Sequence, residues 1–277
     1  MMETTDMPAP RRRRGGGAGR TLASLSVLVA AACTALLPVD AHGQALGWSG
    51  AVEASGNVLF GNTRDRLAAG RLQLGRADST LEVRSDLRLT YAQGENDAGE
   101  RRVKGRTAFA SLGFDLHPFK RYSPFWFGSV ESSLQQRIAR RYSTGAGGKV
   151  TFHQREENEA SLSLALLAER TRPRRAPDAP PDVDPDWEEW RTRWSLRPRV
   201  RWRLSKAVKL SHVTFYQPAV ARMSEFTINS TTSLAVDLTS SIALTVSLHD
   251  TYDSEARARG ARVNNDGQVL FGLRAAF

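Results

Sequence analysis

The segment TLEVRSDLRLTY, residues 80–91, alternates without a break. Its odd positions are Leu81, Val83, Ser85, Leu87, Leu89 and Tyr91, and its even ones Thr80, Glu82, Arg84, Asp86, Arg88 and Thr90. A β-strand turns this pattern into one apolar and one charged face, because successive side chains point opposite ways. A helix would scatter the same charges around its axis. The run is also about twice the usual strand length in a soluble sheet, roughly 5–6 residues.

The same rule governs WRTRWSLRPRVRWRLS, residues 190–205. Trp190, Thr192, Trp194, Leu196, Pro198, Val200, Trp202 and Leu204 share one parity, and Arg191, Arg193, Arg197, Arg199, Arg201 and Arg203 the other. Arginines among aromatics also suit single-stranded nucleic acid. That reading needs the arginines outward on a soluble sheet, whereas a strand makes them a single file on one wall, and no nucleic-acid partner is expected. Alternating segments begin near residues 48, 66, 79, 101, 124, 141, 158, 187, 207, 223, 241 and 265. The connections RADS, REEN, SKA and TSS are tight, and those after the third, seventh, ninth and eleventh segments are longer. The longest is a Pro-rich loop at residues 171–186, which can be neither helix nor strand. HPFKRYSP and the turn near ARRY fit this alternation of lengths poorly. The glycines of STGAGGKV suit close strand packing.

Ahead of the segments lies a basic head (Arg11 to Arg14, Arg20), a mostly apolar run from Thr21 to Leu37, and small residues at Ala41 and Ala45. This is the three-part form of a secretory signal peptide, with cleavage after Ala41 or Ala45; a signal anchor is the alternative. Residues 1–45 are then the leader and 46–277 the barrel. Removal leaves 34 basic against 26 acidic residues. Cys33, the single cysteine, lies in the leader, so the mature chain has neither disulfides nor thiolate metal sites.

An apolar exterior on lipid and a polar interior satisfy both faces of such strands. Closing the sheet removes the edges that hydrocarbon cannot tolerate. The expected fold is therefore all-β, a closed antiparallel transmembrane barrel of about twelve strands, with ten or fourteen as the neighbouring even counts. Trp190 and Trp202 are twelve positions apart, about 40 Å along a strand and roughly 30 Å of height once tilted. With Tyr91, Trp126 and Phe277 they form the expected aromatic girdles.

A leader, cysteine-free alternating strands and a last strand ending in Phe277 resemble a Gram-negative outer-membrane barrel. The resemblance implies that QVLFGLRAAF, with its terminal aromatic, is read by the barrel-assembly machinery, and that outer-membrane lipids surround the mature chain. More narrowly, the chain is similar to the salt-induced outer-membrane protein family. The likeness lies in GWSGAVEASGNVLFGNTRD, with its early Trp-Gly strand and Gly-Asn-Thr turn, in the Gly-rich RYSTGAGGKV, and in DGQVLFGLRAAF. That family implies no enzyme activity.

Parity places Glu53, Glu82, Arg84, Asp86, Arg88 and Glu131 in the lumen with the arginine file of residues 191–203. The seventh and ninth segments offer mainly Glu169 and Lys209, so neutralisation is expected across the lumen, from Glu53, Glu82 and Asp86. The functional reading is a structural, envelope barrel with an ion-paired lumen. The alternative is a narrow anion-preferring pore lined by the arginines, and a lipid hydrolase or surface-binding barrel comes after both. Ser247 and His249 share a face, but Asp250 points away and there is no nucleophile elbow. No catalytic residue, metal site or cofactor is expected, and the acids of REEN and DWEEW read as solvated. Two residues strain the pattern. Pro198 predicts a local bulge, and His212, on the nominal lipid face, predicts a slipped ninth strand. Arg106 shares that face and must lie high in the interface.

Overall fold

A computed structural model describes residues 47–58, 65–95, 100–155, 158–175 and 186–277. The leader with Cys33, the Gly-Asn-Thr turn and most of the Pro-rich loop lie outside the described residues. The strands are β1 Trp48–Val58, β2 Asp65–Ala77, β3 Leu81–Glu95, β4 Arg101–Leu116, β5 Tyr122–Ser133 and β6 Ile138–Arg155. They continue as β7 Asn158–Pro173, β8 Arg191–Arg203, β9 Val208–Pro218, β10 Phe226–Asp237, β11 Ile242–Asp253 and β12 Asn265–Ala276. Each pairs with its neighbours in sequence, and β1 pairs antiparallel with β12. The result is a closed twelve-stranded antiparallel barrel with no free edge. No helix among the described residues is long and apolar enough to cross a membrane.

Strand starts fall within a few residues of the sequence expectation. The largest offset is at β8, because Trp187 to Trp190 stay outside the ladder. Three tight turns owe their form to one side chain each. Asp78 accepts the N–H groups of Thr80 (2.7 Å) and Leu81 (2.8 Å), Ser205 those of Ala207 (3.3 Å) and Val208 (3.2 Å), and Thr239 those of Ser241 (3.2 Å) and Ile242 (3.0 Å). Such side-chain-to-backbone bonds are what Asp, Ser and Thr bring to turns. The backbone donors from Leu81 and Thr80 hold the Asp78 carboxyl below its ordinary range. These turns define one rim, and the longer loops the other. The connections that fit the length rule poorly both turn through left-handed residues, His117 (φ 49°) below β4 and Arg137 (φ 55°) between β5 and β6.

The strands are strongly tilted. The rung that starts at Trp48, on the short-turn rim, runs through Arg76, Val83, Phe114, Trp126, Ala146 and Leu166 to Trp194. Trp194 lies near the long-loop end of β8, so the rungs climb around the wall as closure of a barrel requires.

Parity holds along the body of the strands and slips only at the register shifts of the β3–β4, β5–β6 and β6–β7 pairs. Leu87, Leu89, Leu164, Leu166, Leu244, Val246, Phe271 and Leu273 are exposed on the outer wall. Lys149, Glu159, Glu169, Arg193 and Asp253 are buried inside. A soluble protein distributes these residue types the other way round. Two glycines permit close approaches. A Cβ on Gly147 would lie 2.1 Å from the Leu164 carbonyl oxygen and 2.6 Å from Ala165 Cα. One on Gly50 would lie 2.4 Å from the Phe277 ring, at the seam where Gly50 and Phe277 exchange backbone hydrogen bonds of 2.8 and 3.0 Å.

Two expectations are corrected. Pro198 makes no bulge: the β8–β9 partners skip Arg197 and Pro198, yet the register is the same on both sides of the gap. The ring deletes ladder bonds without shifting the strand. Nor is β9 slipped. His212 pairs in register with Val200 and Thr232 and lies on the outer wall. Its Nδ1 is 2.8 Å from Thr232 Oγ1 and its Nε2 3.0 Å from Thr214 Oγ1, which in turn is 3.1 Å from Ser230 Oγ. Neighbouring hydroxyls let the imidazole sit there. Arg106 is exposed beside Tyr91, toward the long-loop rim.

Candidate functional site

The chemistry of the molecule is concentrated inside the barrel, in two layers. The layer near the long-loop rim is built on Arg193, whose side chain is 2% exposed. It bonds Glu169 of β7 at 3.0 Å and Glu255 at 3.2 Å, and gives two further N–H groups to the carbonyls of Gln217 (3.2 Å) and Glu225 (3.1 Å). Arg191 reaches Glu255 at 2.5 Å, Glu225 at 3.3 Å and Glu188 at 3.5 Å. From β6, Arg141 meets Asp253 at 3.0 Å and lies 3.7 Å from both Glu131 and Glu169.

The loop from 254 to 264 joins this layer. It closes on itself through the bonds Arg259 N–H to Glu255 C=O (3.1 Å) and Ala261 N–H to Ala256 C=O (2.9 Å), and turns at Gly260 (φ 87°). Ala256 is fully buried. Arg259 pairs with Asp253, lies 4.0 Å from Glu255 and donates to the Gln136 carbonyl at 3.4 Å. The loop therefore folds into the mouth and spans it from β11 to the β5–β6 turn. Burial works against ionisation of Glu255, but the Arg191 hydrogen bond and the charges of Arg191, Arg193 and Arg259 prevail and hold it below the ordinary carboxylate range. Glu188 goes the other way, since its burial outweighs Arg191 and pushes its carboxyl up.

The layer toward the short-turn rim is looser. Arg71 forks onto Asp86, which also lies 3.5 Å from Arg88, and Arg84 forks onto Glu82. Lys149 takes Asp115 at 2.8 Å and Arg201 takes Glu159. Lys209 pairs with Asp237 at 3.0 Å. Glu53 accepts a hydrogen bond from Thr245 at 3.0 Å. Arg197 bonds only Ser163 (3.2 Å) among the described residues, and its guanidinium lies over Phe125 (5.0 Å) and Phe215 (5.7 Å). Arg199 has no hydrogen bond or ion pair among the described residues. Arg203 ends the file at the rim, its backbone N–H on Asn158 at 2.7 Å.

The file is neutralised differently from the sequence expectation. Glu82 and Asp86 serve their own wall, and the partners of the file come sideways from β7, as Glu169 and Glu159, and from loop residues Glu188, Glu225 and Glu255. Glu188, in DWEEW, is thus an ion-pair partner. Asp253 had a readable signal, being in phase with Ser247 and His249. Glu255 had none, because parity stops where the strand does. Inside β11, Ser247 Oγ is 2.7 Å from Ser233 Oγ, and His249 Nδ1 is 3.1 Å from Thr231 Oγ1, so that serine is not bonded to that imidazole. Among the described residues no three His, Cys, Asp or Glu side chains cluster so as to hold a metal ion.

On the outer wall Tyr91 and Trp190 are exposed toward the long-loop rim, and Trp126, Trp202 and Phe277 toward the short-turn rim. Tyr216, Phe226 and Tyr252 extend the upper set, with ring centroids 5.7 and 5.3 Å apart.

No curated protein matches the chain. Among solved structures it is similar to the KdgM porin, at 10% identity and a TM-score of 0.42, over 82% of this chain and 99% of that one. It is also similar to the translocator domain of the autotransporter NalP from Neisseria meningitidis (10%, TM-score 0.40, 93% and 98%) and to an outer membrane channel from Pseudomonas putida F1 (12%, TM-score 0.41, 87% and 98%). These likenesses are distant and assign no activity. A family model matches residues 52–277, nearly the whole barrel, and the chain belongs to that family, described as Protein of unknown function, DUF481.

Proposed function

We propose that the chain is an outer-membrane barrel with a structural, envelope role, its long-loop mouth held shut by an ion-paired lumen. The observation that carries this reading is Arg193, 2% exposed and joined to Glu169 and to Glu255 of the inward loop. The exposed Leu, Val and Phe residues between two aromatic sets suit a hydrocarbon band, and the short-turn rim is then periplasmic. The last strand, ending in Phe277, is the segment offered to the barrel-assembly machinery. The likeness to salt-induced outer-membrane proteins is in keeping with an envelope role.

Fractionation tests the location: the protein belongs in the outer membrane, and recovery in the soluble periplasm overturns the reading. Planar-bilayer recordings test the closed mouth. The wild type should conduct little, and a Glu255→Gln/Arg259→Gln variant should conduct steadily; equal conductance of the two would defeat it. A second reading, a narrow anion-preferring pore, is favoured by Arg197 and Arg199, which lack carboxylate partners among the described residues. It requires anion selectivity that Arg197→Glu and Arg201→Glu reverse.

A further inference from the structure

We infer that the short-turn half of the lumen is a binding site for a small multivalent oxyanion, entering from the short-turn rim. The inference rests on the closed-mouth reading, under which a ligand enters from the short-turn rim. Its centre is Arg197. Its guanidinium carbon lies over two rings, 5.0 and 5.7 Å from their centroids, and Ser163 takes one N–H at 3.2 Å. A guanidinium carries five donors in a planar fork, and among the described residues only one of those of Arg197 is taken. Side-chain entropy, normally lost when an anion is bound, is already surrendered to Phe125, Phe215 and Ser163.

Arg199 follows two residues later on the same wall, and its nitrogens are not sealed from the lumen. Arg84, from β3, adds its charge to both. The nearby carboxylates are taken: Glu159 by Arg201, Asp115 by Lys149 and Glu82 by Arg84. Arg197 and Arg199 are thus left without a carboxylate of their own, and a ligand bearing two charges would relieve their repulsion. A tetrahedral oxyanion can also accept two forks at once, which chloride cannot. The other rim is occupied by the inward loop, whose Glu255 and neighbouring Asp253 are already paired with Arg191, Arg193, Arg141 and Arg259.

The experiment uses the full mature chain folded in detergent micelles. Its unfolding midpoint is followed with inorganic phosphate, with citrate, and with sodium chloride at matched ionic strength. Phosphate or citrate should raise the midpoint by about 3 °C or more beyond chloride, and the better of the two assigns the oxyanion as phosphate-like or carboxylate-like. The increment should vanish in Arg197→Gln/Arg199→Gln. Should that variant not fold, Arg199→Lys keeps the charge and loses the fork, and should reduce the increment. Arg101→Gln, on the far rim, should leave it unchanged. No increment over chloride, or the same increment in the luminal variants, overturns the site. Bilayer conductance of the Glu255→Gln/Arg259→Gln variant reads the mouth separately, so either reading can fail without the other.

Discussion

Two arginines in one file, Arg193 and Arg201, show how much position decides the worth of an ion pair. Arg193 is 2% exposed and holds two carboxylates, whereas Arg201 is 48% exposed and holds one. Deleting one partner of a buried pair strands the other in low dielectric, at a cost of about 3–5 kcal/mol, while an exposed pair contributes roughly 0–1 kcal/mol. Arg201 leaves a buried Glu159 behind but is itself half exposed, so Arg193→Gln should lower the urea midpoint of the folded barrel sharply and Arg201→Gln less; equal effects would contradict the layering. Adjacent glycines give a second contrast. A methyl on Gly147 meets the Leu164 carbonyl at 2.1 Å, whereas one on Gly148 meets nothing within 4 Å. Gly147→Ala should cost about 1–3 kcal/mol, as overpacking does, and Gly148→Ala should be silent. Heat-resistant migration on gels separates the two.

At the level of the strand, β8 shows what alternation discloses and what it conceals. The facing of Arg193 and Trp194 was legible because opposite pointing is a local steric property of extended backbone. The partners were not, because Glu169 is 24 residues away and Glu255 62, and period two carries no information about either pairing. His212 misleads in part for the same reason: Thr214, two residues on, shares its face by alternation, but only the register brings Thr232 of β10 within 2.8 Å. Pro198 misleads in the other direction. A missing N–H was expected to bend the strand, but the β7 ladder, with Leu162 opposite Pro198, keeps it straight. Since the register is already correct, Pro198→Val should restore ladder bonding to β9 and leave stability unchanged or raise it by about 1 kcal/mol. A lower urea midpoint would mean that the ring itself is needed in the outer wall.

Over the whole molecule the inward loop of residues 254–264 ties the long-loop mouth together through carboxylates, chiefly Glu255, Asp253, Glu225 and Glu188. The mouth should therefore respond to acid. Glu188, whose carboxyl is pushed up by burial, protonates first and gives up its 3.5 Å pair with Arg191. Glu255 lies below the ordinary range in the folded barrel, so it binds more protons unfolded than folded. Its contribution is complete above the unfolded value, about 4.3 for a glutamate, and disappears as pH falls through the lower folded value. Near pH 7 the loop should stay docked. As pH falls through that lower folded value it should lose Arg191 and Arg193 as partners and leave the arginines of the mouth repelling one another. Bilayer conductance of the wild type should then rise on acidification, while a Glu255→Gln variant, already lacking that charge, should conduct at neutral pH and change little. If wild-type conductance is flat from pH 7 to pH 3, or if Glu255→Gln retains the full acid response, the ion pairs of Glu255 do not hold the mouth.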